Sequence, residues 1–270
     1  MLLPVAARLH AQETASELFG LNGSPRQGSA LLGNAPDGTM VLRLDDMRVN
    51  VDVDGRFIVA FDRDAPPQAV LRAEMYDDRV LTETLAVAPG NWRIEQVDAP
   101  LLGNAQTDEE FRQRRALELE QIAAARAVHS RSDGWRQKFI LPVKARVSGV
   151  FGSQRIYQGT PASYHSGLDL AGGAGTIYVA PADGVVVLAA SAPFTLEGNL
   201  LMVDHGMGLN SAFLHSQSLL VKQGDIVKQG QPLGHIGATG RVSGPHLHWS
   251  MKWLEARIDP ATFVDVNVKL

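Results

Sequence analysis

Gly-Pro-His-Leu-His-Trp, residues 244–249, is the stretch on which the reading of this chain turns. In an extended strand, side chains at i and i+2 share a face. His246 and His248 then point into one space while Leu247 and Trp249 anchor the opposite face in a core. Two stretches upstream carry side chains of the same chemical type: Tyr-His-Ser-Gly-Leu-Asp at 164–169 and Phe-Leu-His at 213–215. His165 and Asp169 share a face on either a strand or a helix. Gly167 between them favours a strand or turn and lets another backbone approach closely.

A carboxylate with two histidines is a ligand set for catalytic zinc, with a fourth position left for water. Five candidate groups exceed what one metal requires, so the surplus pair is read as catalytic. A neutral imidazole can accept a proton from an attacking water, and a second can stabilise an oxyanion or protonate a leaving amine. Strand geometry alone does not say which of His246 and His248 touches the metal. Each piece taken singly has an ordinary explanation, as a hydrogen-bonded surface pair or a satisfied strand-end histidine; the combination is far more specific. His10, His129, His205 and His235 lack a ligand-spaced partner and are read as structural.

Composition bounds the alternatives. The 270 residues are 45% apolar and 20% charged, which fits two modest folded domains. Lys and Arg total 25 against 29 Asp and Glu, and this net charge of −4 offers no general attraction to nucleic acid or an anionic membrane. Without cysteine there is no thiolate site, so a metal must be held by nitrogen and oxygen. No run of about 18 apolar residues is present to form a spanning helix. The start, Met1 to Gln12, is short and apolar but lacks a basic leading region, and reads as the remnant of an export signal or as a frayed terminus.

Period-two patterning from about 39 to 97 predicts a β-rich amino-terminal domain over residues 1–104, sandwich-like. Met47, Val49, Val51 and Val53 alternate with polar residues, and Asp54-Gly55 leads into the run Phe57 to Phe61, which reads as a hairpin. Further strands are expected near Ala69–Met75, Val80–Val87 and Trp92–Val97. Thr107-Asp-Glu-Glu110 is a capping box that predicts a helical connector over 105–134, running to about Arg131, with an apolar stripe of Phe111, Leu119 and Ile122. From 135 to 270 glycine-punctuated strands predict an antiparallel β domain, with strands at Gly184–Ala190, Leu200–His205, Asn210–His215, Pro232–Ile236 and Pro245–Met251.

Residues from about 139 to 260 resemble the lysostaphin-type, LytM-domain zinc metallopeptidases of bacterial peptidoglycan. The resemblance is carried by Val147–Gly152, Tyr164–Leu170, Val179–Gly184, Val203–Gly208, Phe213–His215, Gly237–Gly240, Ser243–Trp249 and Asp259-Pro260. It implies that His165, Asp169 and His248 bind one Zn2+ per chain, and that His215 and His246 serve as base and transition-state stabiliser. It implies further a groove between curved sheets with the metal on its floor, a peptidoglycan peptide as substrate, and export to the periplasm or cell envelope. Ser250 stands where many relatives have an acidic residue. Some relatives use a tyrosine to help hold the oxyanion, a part that Tyr157 or Tyr164 could take here, with packing as the plainer role. The bond cleaved would depend on groove loops such as 191–199 and 238–244.

Two other functions compete. A non-catalytic activator of a cell-wall hydrolase would share the fold but typically lacks the metal ligands. A biotinyl- or lipoyl-carrier module would present its lysine at a hairpin tip, whereas Met251-Lys252 runs directly on from the His-Leu-His strand. The amino-terminal domain carries no catalytic constellation and is expected to target, gate or space the rest.

Overall fold

A computed structural model of the chain describes residues 18–101 and 109–264. The Met1–Gln12 segment and the Thr107 cap therefore lie outside the described residues. The amino-terminal part carries β1 (Ala30–Asn34), β2 (Thr39–Leu44), β3 (Met47–Val49), β4 (Arg56–Ala60), β5 (Gln68–Met75), β6 (Val80–Ala86) and β7 (Ile94–Val97), followed by helix α1 (Glu109–Arg126). A 3-10 turn at Gly134–Arg136 leads into β8 (Arg146–Gly149), β9 (Gln154–Tyr157), β10 (Thr160–Pro161), β11 (Leu168–Ala171), β12 (Ile177–Val179) and β13 (Gly184–Ala189). The chain continues through β14 (Asn199–Asp204), β15 (Leu209–Leu219), β16 (Ile226–Val227), β17 (Pro232–Ile236), β18 (Leu247–Trp253) and β19 (Ala256–Ile258).

The protein is mainly β, as its patterning predicts. Its largest sheet has ten strands, with the path β16-β13-β14-β15-β18-β11-β8 and every pairing antiparallel. One face buries Leu168, Leu170, Leu201, Val203, Phe213, Leu247, Trp249 and Met251. At about 25 cal/mol per Å2 of apolar area, a buried aromatic or aliphatic side chain contributes about 1.5–3 kcal/mol, so this layer sets the sheet's register. The amino-terminal part holds a two-stranded sheet, β1-β4, and a four-stranded sheet, β3-β2-β5-β6, whose inward residues join one core.

The hairpin expected at 47–61 has its turn but not its pairing. Gly55 N–H donates to Asp52 O at 2.9 Å, and Val51 bridges Phe57. The arms then diverge, β3 pairing with β2 and β4 with β1. The reason is burial: Phe57, Ile58, Val59 and Ala60 are all at most 4% exposed, so β4 has no solvent face and passes through the core.

Helix α1 also departs from its expected extent and packing. It ends at Arg126, and the backbone of Ser130 is instead captured by the Asp204 carboxylate at 2.7 Å. Leu119 points to solvent at 49% exposure, whereas Glu118 and Ala125 are buried. The docked face reads Arg115, Glu118, Ile122, Ala125, at helical i, i+3, i+4 spacing, and is half charged. An apolar count alone therefore finds Ile122 but wrongly adds Leu119. Ala125 and Ile122 sit on a small cluster with Val187, Leu200, Met202 and Ala212, on the sheet face opposite the main core.

The two parts of the chain are stitched together. β7 pairs in parallel with β9, and the buried Arg63 donates from Nε and Nη2 to Gly152 O at 3.2 and 3.0 Å. Asp259 N–H donates to Gly28 O at 2.8 Å.

His205 is structural, as its isolated position in the sequence suggests. It is fully buried, with its ring nitrogens facing Asp183 O and Ser211 Oγ, both at 2.8 Å. Burial pushes its pKa down from 6.5 to about 4. The unfolded chain takes up this proton below about 6.5 while the folded chain refuses it until about 4, so stability is full above 6.5 and falls with pH through that window. Urea unfolding at pH 7 and pH 4.5 is expected to show a loss of stability that His205→Gln reduces by about 2–3 kcal/mol. An equal loss in the variant would refute the assignment.

Candidate metal centre

The site grows from one register. Asp169 on β11 lies directly opposite His248 on β18, and His248 lies opposite Leu214 on β15, one residue before His215. Directly opposed residues of an antiparallel pair send their side chains to the same face about 5 Å apart. His248 Nδ1 accordingly lies 2.8 Å from Asp169 Oδ1, and His165 Nε2 lies 3.0 Å from the same oxygen. The two imidazole nitrogens are 3.1 Å apart. Leu247 and Trp249 are fully buried on the other face, as alternation requires.

Glycines make room for this packing. A Cβ on Gly149 would stand 2.3 Å from Asp169 Oδ2, and one on Gly167 would stand 2.6 Å from both Trp249 O and His248 Nε2. The close approach expected at Gly167 is thus present. Gly149 is the neighbour that sequence reasoning passed over.

Backbone carbonyls orient the rings. His165 Nδ1–H donates to Val150 O at 3.0 Å, which turns Nε2 toward Asp169. His246 Nδ1–H donates to Gly244 O at 2.9 Å, leaving Nε2 3.5 Å from Asp169 Oδ1. His215 Nδ1–H donates to Thr239 O at 2.8 Å, which frees its Nε2. The ring of His215 is 5.2 Å from that of His246 and 6.3 Å from that of His248. All five residues singled out in the sequence are therefore brought into one cluster. Tyr164 meets Phe151 edge to face and carries the Arg63 guanidinium 4.6 Å from its ring, while Tyr157 lines the cavity beside His165 and Asp169.

Electrostatics suit a cation. Burial alone would raise the Asp169 pKa, but hydrogen bonds from His165 and His248 outweigh it and hold the carboxyl far below the usual range. His165 is pushed down by burial and further up by Asp169, so it ends above its ordinary value. His215 and His248 are lowered, chiefly by burial, so both favour the neutral imidazole that can accept a proton or a metal. His165, Asp169 and His248 offer one donor atom each within 4.8 Å of one another. Two nitrogens and one oxygen, converging and without thiolate, fit a borderline cation such as zinc.

The site is braced by a network that no spacing rule announces. The backbone N–H of His215 donates to Glu197 O at 2.8 Å, and His215 itself holds a left-handed φ of 65°. Glu197 is gripped by Arg115 of α1 through two bonds of 2.6 and 2.7 Å, and Glu118 accepts from Thr195 N–H at 2.6 Å. Thr239 contributes through its carbonyl, so its side-chain type gives no signal of the role. A cavity of about 760 Å3 opens beside His165 and Asp169, walled by Ser148, Gln154 and Arg155 and by Arg93 and Glu95 from the amino-terminal part.

A carboxylate flanked by imidazoles on one face of an antiparallel sheet is a donor set that suits a metal-dependent hydrolase. Residues 163–260 match the model of Peptidase family M23. It is 37% identical over 116 residues to peptidoglycan DD-endopeptidase ShyA of Vibrio cholerae, covering 43% of this chain and 26% of that protein. It is 30% identical over 123 residues to murein hydrolase activator NlpD of Escherichia coli, covering 46% and 30%. The chain thus spans about a quarter of the length of the curated relatives it matches. A Pseudomonas aeruginosa crystal structure assigned to peptidase M23 superposes with a TM-score of 0.68 at 28% identity over 89% of this chain and 95% of that one, so both parts share their fold with it.

The helix brace has a measurable strength. Arg115→Ala would remove the cation that Glu197 and Glu118 share, leaving Glu118 only its bonds from Thr195; their side chains are 16% and 7% exposed, and the change is expected to lower stability by about 1–3 kcal/mol in urea unfolding. Arg112→Ala, which removes a pair about two-thirds exposed on the same helix, is expected to change it by less than about 0.5 kcal/mol. Equal effects would show that the brace is no more than a surface pair.

Proposed function

We propose that this chain is a zinc-dependent endopeptidase that hydrolyses peptide cross-links of bacterial cell-wall peptidoglycan, acting in the periplasm or cell envelope with one zinc per chain. The observation that carries the reading is the convergence of His165, Asp169 and His248 on one point with two further imidazoles beside them. The named activity of ShyA supports the choice of substrate. NlpD is named an activator, and the complete donor set here favours hydrolysis over that alternative.

In this reading His165 Nε2, Asp169 Oδ1 and His248 Nδ1 would hold the zinc. Bound zinc supplies a Lewis acid and lowers the pKa of water to about 7. His215, neutral because it is buried and held by Thr239 O, accepts the proton of the attacking water at Nε2. His246, oriented by Gly244 O, directs Nε2 at the developing oxyanion and the leaving amine. The cavity beside His165 receives the peptide in extended form. Arg93 and Glu95 in its wall give the amino-terminal part a share in positioning or covering the substrate.

Digestion of purified sacculi followed by mass spectrometry of the muropeptides tests the reading. Cleavage is expected to stop on chelation, to return with zinc, and to fall by about 10²–10⁴ in His215→Ala or His246→Ala while zinc content is retained. Undiminished cleavage by metal-free protein would overturn the mechanism. A cell-wall effect on a partner hydrolase that survives His165→Ala and His246→Ala would favour the activator.

A further inference from the structure

We propose that Arg126 and Arg257 form a carboxylate subsite beside the metal centre, making the protein selective for peptides that carry a free acid next to the bond held at His248. The nature of the peptide rests on the peptidase reading; the anion preference rests on the site itself.

Arg126 closes α1 and contributes to a cavity of about 120 Å3 whose lining includes Ser166, Glu197, His248, Ser250 and Arg257. Its Nε is buried and has no hydrogen-bond partner. A buried donor without a partner costs about 1–3 kcal/mol, and native structures hold few of them. The acid in the same lining, Glu197, is already engaged by both terminal nitrogens of Arg115. Burial lowers the Arg126 pKa, the charge of Arg257 lowers it further, and Glu255 and Glu197 oppose both. Arg257 is tied down by its backbone N–H, which donates to Asp62 Oδ2 at 2.8 Å, and its guanidinium lies 5.9 Å from the Tyr164 ring.

The cavity thus pairs two guanidinium groups with an uncommitted buried donor, immediately next to a metal-ligand histidine. A planar fork of N–H donors matches a carboxylate, whose charge also relieves the repulsion between the two cations; a neutral amide relieves nothing. The volume exceeds the share of a single water, about 30 Å3, and leaves room for a carboxylate with both oxygens bound. The apolar floor of Leu200, Met202 and Ala212 suits the aliphatic carbons that would carry it.

The test compares two synthetic cross-linked peptide dimers that differ only in a carboxylate or a carboxamide beside the scissile bond. Two quantities are read: kcat/KM with the zinc-loaded full chain, and affinity for the metal-free protein by titration calorimetry. The acid dimer is expected to be favoured by about tenfold to a hundredfold in both, as a charged hydrogen bond warrants. Arg126→Gln is expected to abolish the preference, Arg126→Lys to keep part of it, and Arg112→Gln, elsewhere on the helix, to keep all of it. A wild-type protein without preference, or an Arg126→Gln variant that retains it, overturns the subsite. If neither dimer is cleaved yet the binding preference is present and lost in Arg126→Gln, the subsite stands and the peptidase reading falls.

Discussion

The pairing of Asp169 with His248 across two antiparallel strands is the constraint on which the rest of the site depends. It exists because Leu168, Leu170, Leu247 and Trp249 are fully buried on the opposite face and lock the register of β11 against β18. A slip of one residue would send the carboxylate and the imidazole to opposite faces and expose two core positions. Core packing and site geometry are therefore one choice: the same alternation that buries a tryptophan aims a candidate metal ligand.

Gathering a carboxylate and four imidazoles in a partly buried place is costly unless each is bonded. The protein meets that cost with backbone carbonyls, from Val150, Thr239 and Gly244, each taking the Nδ1 proton of one ring and turning its Nε2 inward. The carbonyls belong to loops, and the loops need support of their own. For His215 that support reaches outward through Glu197 to Arg115, so the connecting helix is part of the architecture that holds the site. The amino-terminal strand β7 does the equivalent on the other flank by pairing with β9 and walling the larger cavity.

Much of this was legible in the residues. Strand alternation placed His246 with His248 and identified their buried neighbours, and five of the ten strands of the large sheet fall near the glycine-bounded apolar runs. Local patterning was weaker wherever burial was complete or contact was polar. The run Phe57–Ala60 looked like one arm of a hairpin because its apolar residues are contiguous, yet full burial on both faces carries it into a different sheet from β3. The stripe on α1 was right at Ile122 and wrong at Leu119 for the converse reason: its contact face includes Arg115 and Glu118, which bury by pairing and leave Leu119 outside.

The sequence by itself determined which side chains could form the site, because ligand chemistry and two-residue periodicity are local properties. It also carried the family resemblance, because the motifs behind it are contiguous. Only the tertiary structure decided what those side chains lean on. Thr239 and Val150 act through carbonyls that every residue type possesses, Gly149 matters through the carboxylate it faces, and Arg126 acquires its meaning from a cavity built by distant strands. Backbone groups and long-range contacts leave no mark in residue type, and so they become visible only when the chain is folded.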